Sequence, residues 1–303
     1  MTKLKLALLL FLYLILISYL SIKNIIAPQN FLILGLDPRN DLLEKTETTD
    51  TIIYARISDK FDRVILFSLP RDLWFYPQSK KINQIYPDTF ANIQNNFNQV
   101  IGQKIDKTII ITTQNLKDIT NLVGGVDVFL DVPLKDDKYP NQAYIDNPKS
   151  GAPMYKTIYY PMGLNHLDST NITEFVRSRK SSDLASNGGT DLGRILRQQK
   201  LFDALLAKVV QIRNPKQLLT LYKYFDKNIS HNLTKKDYLI LGIKLLPKIN
   251  TLKINKINIP IGENPETDII YHPTKFINQQ WVYITSTTDY QTLKNLISKS
   301  LLY

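Results

Sequence analysis

Polar residues suited to anion and cation chemistry recur in short clusters along this 303-residue chain: Asp37 and Arg39 in LGLDPRN, Asp50 in TTDT, Arg71 in SLPRD and Lys81 in KIN. Further along come Arg177 and Arg179 in FVRSRK, then Asp191, Arg194 and Gln198 in DLGRILRQQ. Asp37 follows one apolar run and Asp50 opens the next, so the two carboxylates can meet on one sheet edge and hold a hard divalent cation. Each can equally cap its own turn. Pro70 rigidifies the exit from the following run and aims Arg71 from the same edge. Lys81, with Asn83, supplies a second cation and an amide, or simply a solvated loop. In an extended segment Arg177 and Arg179 leave on one face. Two adjacent guanidiniums repel unless an anion lies between them, and their planar forks match phosphate oxygens. At about 100° per residue Asp191, Arg194 and Gln198 fall within about 60° of one helical face. An arginine in the first turn of a long helix opposes the helix dipole, which a bound anion or pairing with Asp191 would offset. Arg197 reads as solvated, while Leu192, Ile195 and Leu196 read as the sector that packs on a sheet.

The elements that must position these residues alternate. Apolar or β-branched runs predict strands at 31–35, 50–58, 63–69, 107–112, 126–130 and 254–260. Helical patterns lie at 90–101, 114–122, 169–176, 191–212, 215–225, 234–247 and 288–300. Such alternation predicts an α/β layered domain. Neither an internal repeat nor a linker rich in Pro, Gly or Ser divides the chain, so 28–303 reads as one domain. Segment 133–153, with Pro133, Pro140, Pro148 and Pro153, reads as a long surface excursion. Tyr155, Tyr159 and Tyr160 alternate as a strand would and read as core, and His166 reads as a loop residue with a surface or packing role.

Composition narrows the chemistry. The absence of cysteine excludes a disulfide scaffold, thiolate zinc and a Cys nucleophile, and the three histidines, at 166, 231 and 272, are too scattered for a metal site. Net charge is +11, which fits nucleic acid, an anionic membrane or a phosphorylated ligand. Eight of the nine arginines precede residue 201, whereas the C-terminal third is rich in lysine. With no helix-turn-helix or aromatic stacking motif, nucleic acid is the least expected partner. Residues 6–22, LALLLFLYLILISYLSI, carry no charge and as a helix would be about 25 Å long. They predict an uncleaved transmembrane anchor, with residues 1–5 as a short cytoplasmic tail and the rest outside the cell membrane, because no small-residue cleavage site follows.

Taken as an ordered series, the anchor, FLILGLDPR, TTDT, SLPRD, KIN, LVGGVDVFLDVP, YYPMGLNHLDSTNITEFVRSRK and DLGRILRQQ resemble the catalytic domain of the LytR-CpsA-Psr family of cell-envelope proteins. The resemblance covers roughly residues 28–212. It implies a three-layer α/β/α domain with a central mixed sheet, preceded by one transmembrane helix. It also implies a polyprenyl (pyro)phosphate-linked glycan as donor, peptidoglycan as acceptor, and transfer of the glycopolymer as a phosphodiester with Mg²⁺, or Mn²⁺ in its place. On this resemblance Asp37 and Asp50 match the metal-binding aspartates, and Arg71, Arg177, Arg179 and Arg194 the pyrophosphate-binding arginines. Arg39, Lys81 and Gln198 join the head-group site, and Arg71, Asp191 and Arg194 form the catalytic set. One departure is Thr48, where the family has an arginine, and Ser181 to Thr190 form a longer stretch expected to act as a flap. Hydrolysis of the same lipid, binding without transfer, and a membrane-tethered regulator are the competing expectations.

Overall fold

A computed structural model describes residues 27, 29–36, 48–178 and 191–302, with the backbone alone at 191, 192, 194 and 195. The expected anchor at 6–22 and its cytoplasmic tail lie outside the described residues. Among those described, no helix is long and apolar enough to cross a membrane.

In chain order the main strands are β1 (Asn30–Leu36), β2 (Thr49–Ile57), β3 (Arg63–Leu69), β4 (Lys107–Thr112), β5 (Val126–Leu130), β6 (Leu134–Pro140), β7 (Tyr155–Tyr160), β8 (Gly163–Leu167), β9 (Ser230–His231) and β10 (Lys253–Ile257). The main helices are α1 (Phe90–Ile101), α2 (Thr113–Leu122), α3 (Ile172–Arg177), α4 (Asp191–Gln211), α5 (Pro215–Asn228), α6 (Lys235–Leu245) and α7 (Gln291–Leu301). Six strands form one sheet in the order β9-β4-β1-β2-β3-β10. It is mixed: β1 runs antiparallel to β2 and parallel to β4, and β3 runs antiparallel to β2 and parallel to β10.

Both faces of this sheet are covered, which is why its strands read as nearly continuous apolar runs. In β2 the period-two alternation sends Ile52 and Tyr54 to one face and Ile53, Ala55 and Ile57 to the other. The first face packs on α1 and α7 through Phe97, Val100, Leu293 and Ile297. The second packs on α4 and α6 through Phe202 and Ile240. Three layers result, as the family resemblance implies. Thr89 starts α1 by accepting a bond from the Asn92 amide, and Gly102 ends it at φ +73°, where a Cβ would meet the Lys294 side chain at 2.7 Å.

A second core lies beside the first. The pairs β5/β8 and β6/β7 close over α3 and α4, with Val128, Leu134, Tyr160, Phe175 and Leu201 buried together. Here the structure corrects the sequence reading: the supposed excursion at 133–153 contains β6, paired with β7. Its inward positions are Leu134, Asp136 and Tyr139, and the buried aspartate interrupts the apolar alternation that would announce a strand. Tyr160 is core, as expected, but Tyr155 and Tyr159 on the same strand are exposed. His166 belongs to β8, not to a loop, and its Nδ1 lies 2.7 Å from Asp127 across the pair.

Candidate active site

Beneath the second face of the central sheet lies a cavity of about 280 Å³. Ile33, Ile53 and Ile111 line it from the sheet, Leu116 and Ile119 from α2, and Leu201, Leu205 and Val209 from α4. The α4 residues recur every four positions, so one helical stripe supplies a whole wall. Gly35 belongs to the sheet wall, and a Cβ there would come within 2.8 Å of the Thr51 Cβ. A side chain at position 35 would therefore force β1 and β2 apart.

One end of this apolar bore is polar, lined by Asp50, Thr51, Arg177 and Gln198. The local backbone explains why Asp50 stands there. Gly35 pairs with Thr51 and Leu36 with Thr49, so Asp50 is the extra residue of a β-bulge. A bulge re-aims the side chain it inserts and ends regular pairing at a sheet edge. Thr51 donates its hydroxyl to Gln198 Oε1 at 2.7 Å, tying the strand edge to α4.

Behind Asp50 runs a chain of alternating charge. Arg71 Nη1 pairs with Asp50 Oδ1, Arg71 Nε reaches Asp72 Oδ2 at 3.3 Å, and Lys81 Nζ reaches Asp72 Oδ1 at 2.8 Å. Both carboxylates are less than a tenth exposed, a placement that costs several kcal/mol per ion unless each is paired. The backbone folds to permit this. A short hairpin sets Lys81 opposite Trp74, and the Ile82 and Asn83 amides donate to the Leu73 and Arg71 carbonyls at 2.8 and 3.2 Å.

Asp50, Arg71 and Lys81, separated in sequence, are thus brought into one cluster, and Arg177 and Gln198 stand at the same cavity mouth. Arg177 occupies the last turn of α3 rather than an extended segment, where its charge complements the helix C-terminus. Asp191 and Arg194 fall on the first turn of α4, but their side chains, like Asp37, Arg39, Arg179 and the stretch Ser181 to Thr190, lie outside the described residues. Among the described residues no three His, Cys, Asp or Glu cluster as metal ligands.

Two members of the site escape the sequence reading. Asp72 is the carboxylate shared by Arg71 and Lys81; its signal was adjacency to Arg71 in SLPRD. Arg197 was expected in solvent, yet it is 5% exposed and its Nη2 donates to the Ser178 carbonyl at 2.5 Å. It sits four residues after buried Gly193 and four before buried Leu201, so it occupies the core stripe of α4. Leu196, expected to pack on the sheet, is 45% exposed instead.

An apolar cavity with cations and a carboxylate at its mouth can take an amphiphile: chain inward, anionic head at the rim. A model of the LytR_cpsA_psr family matches residues 18–299. The chain is similar, at 26% identity over 252 residues, to the polyisoprenyl-teichoic acid–peptidoglycan teichoic acid transferase TagV of Bacillus subtilis (strain 168), over 78% of this chain and 59% of that protein. It thus spans less than two thirds of that relative's length. The crystal structure of B. subtilis TagV superposes with a TM-score of 0.63 at 19% identity, over 91% of this chain and 98% of that one. So does the structure of a protein described as a transcriptional regulator from Enterococcus faecalis, with a TM-score of 0.63 at 19% identity over 91% and 88%. At these identities the likeness is one of fold.

Proposed function

The chain belongs to the LytR-CpsA-Psr family, and from that premise we propose that it transfers a glycopolymer from a polyprenyl-pyrophosphate carrier to peptidoglycan outside the cell membrane. The observation that carries this reading is the cavity: apolar along its length, ionic at one end. A polyprenyl chain suits the bore and a pyrophosphate suits the mouth. The relative TagV is named for transfer of teichoic acid from a polyisoprenyl carrier to peptidoglycan, which supports the same class of donor and acceptor here. Residues 6–22 would anchor the chain where such a lipid resides.

In the proposed reaction a glycan-acceptor hydroxyl attacks the phosphorus next to the glycopolymer, and the bond to the lipid phosphate breaks. Repulsion by the phosphate oxygens is the main barrier, so cations held in place supply much of the rate. Arg177 at the mouth, with Arg39, Arg179 and Arg194, would clamp the two phosphates. Arg71, already bonded to Asp50 and Asp72, needs no reorganisation to stabilise charge at the attacked phosphorus. Lys81 adds charge to the same chain, Gln198 is fixed by Thr51, and Asp191 would orient Arg194. Asp50 offers a hard oxygen donor at the rim, which fits a Mg²⁺ site built from one or two carboxylates plus substrate phosphates. Asp37 would be the second ligand, and Mn²⁺ would serve in place of Mg²⁺. When bound, that ion supplies further positive charge against the phosphate oxygens.

Incubating the full chain with a polyprenyl-pyrophosphate-linked glycan, with and without peptidoglycan, tests the proposal. Glycan joined to peptidoglycan with release of lipid phosphate is the expected result. Release of lipid phosphate to the same extent without acceptor would mark a hydrolase instead, and unchanged donor in both arms would defeat the reading.

A further inference from the structure

The buried guanidinium on α4 is answered by a buried carboxylate. Ser178 stands between them: its carbonyl accepts from Arg197 Nη2 at 2.5 Å and its hydroxyl donates to Asp136 Oδ2 at 2.8 Å. Its amide donates to the Glu174 carbonyl at 3.1 Å. Every polar atom of Ser178 is therefore held, from three separate elements: α3, α4 and β6. Ser178, Asp136 and Arg197 are 0, 2 and 5% exposed, and Asp136 Oδ1 also accepts the Lys138 amide at 3.0 Å. Placing opposite charges in a protein interior is costly, and an apolar trio would pack the same stripe. What the ions achieve is a fixed backbone at one residue, and that residue follows Arg177 and precedes Arg179.

We infer that Arg197 and Asp136 are positioning residues, which clamp the Ser178 backbone so that Arg177, directly before it, is held at the cavity mouth for the phosphates. This rests on the proposed pyrophosphate-lipid reading. At Ser178 the chain leaves the helical conformation, with φ −55° and ψ 132°, and the clamp fixes this end of α3. Arg197 lies beside Gln198 on α4, so one helix turns Gln198 to the mouth and Arg197 to the end of α3 that carries Arg177.

The test compares farnesyl pyrophosphate with farnesol, which share a prenyl tail and differ in the head group. Their affinities for the full chain are measured in wild type, Arg197→Met, Arg197→Lys and Ser178→Ala. The expected result is a loss of about tenfold in farnesyl pyrophosphate affinity for Arg197→Met, a smaller loss for Arg197→Lys, which keeps the charge but not the fork, and about threefold for Ser178→Ala. Farnesol affinity stays within about twofold throughout. Parallel loss of both ligands would reduce Arg197 to a packing role, and unchanged discrimination in all three variants would overturn the inference outright. If Arg197→Met does not fold, Arg197→Lys and Ser178→Ala decide the matter alone. A wild-type protein that binds both ligands equally defeats the pyrophosphate reading itself, a result distinct from either of those.

Discussion

The mouth of the cavity and its bore share β2 and α4 and obey opposite rules. At the mouth stands Asp50, and behind it Arg71, Asp72 and Lys81 continue one chain of contacts that alternates in sign. Along the bore, Ile33, Ile53, Ile111 and Ile119 offer nothing but hydrocarbon. Helix α4 serves both, with Gln198 at the rim and Leu201, Leu205 and Val209 below it. The difference teaches that the overall charge of +11 says little about the ligand, because the informative charges are those whose neighbours are fixed.

The sharpest way to break this contrast is at the bulge. Asp50→Ala removes the carboxylate paired with Arg71, and glycan transfer should fall by about 10² to 10³-fold. Loss of a partner from a pair this buried costs about 3 to 5 kcal/mol of stability, so Asp50→Asn, which keeps the shape, separates chemistry from folding. Transfer by Asp50→Asn at wild-type rates would remove Asp50 from the mechanism.

The bore is tested by plugging it. Ile119→Arg places a cation where the prenyl tail is proposed to lie, and each buried methylene of that tail is worth about 0.8 kcal/mol. Farnesyl pyrophosphate should lose most of its affinity while inorganic pyrophosphate, which needs only the mouth, keeps its own. Equal loss of both would mean that mouth and bore are not separate subsites. A milder change is Asp72→Asn, which leaves Arg71 and Lys81 without their shared anion. We expect a loss of about 1 to 3 kcal/mol in stability, read by denaturant unfolding, with transfer reduced less than in Asp50→Ala.

Much of the central sheet was legible because its strands are apolar on both sides: 63–69 and 107–112 coincide with β3 and β4. The strand β6 was not, because Asp136 occupies a core position and surface lysines and prolines surround it. The same cause hid Arg197. Helical periodicity places it in the buried stripe between Gly193 and Leu201, but a positive charge reads as solvent unless its counter-charge is known, and Asp136 is far away in sequence. Asp50 was legible as a carboxylate opening a strand, yet its bulge depends on the register of β1 against β2, which no single strand encodes. The charged members of the site were therefore readable where a polar residue ended an apolar run, and unreadable where one charge was buried against another.

A final prediction concerns a titrating group that lines neither mouth nor bore. His231, on the edge strand β9, stacks on Phe225 with centroids 5.2 Å apart. Its Nδ1 accepts the Leu233 amide at 3.2 Å, and its Nε2 lies 2.9 Å from the Tyr238 hydroxyl. Burial pushes its pKa below the ordinary 6.5, against a smaller upward pull from Asp226. The acceptor role of Nδ1 acts in the same direction, since protonation there would displace the Leu233 amide. With a depressed folded-state pKa, the neutral ring contributes its stability fully above about pH 6.5. That contribution is lost as pH falls from 6.5 through the folded value. The carboxylates whose pKa is held low, such as Asp131 and Asp168, begin to lose their contributions only as pH falls to the ordinary 3.8, well below where the loss from His231 begins. Between pH 7 and 5 the wild-type melting temperature should fall more than that of His231→Asn, while farnesyl pyrophosphate affinity of the folded protein changes alike in both. If the two melting curves shift in parallel, His231 is not the group that couples stability to pH in this range.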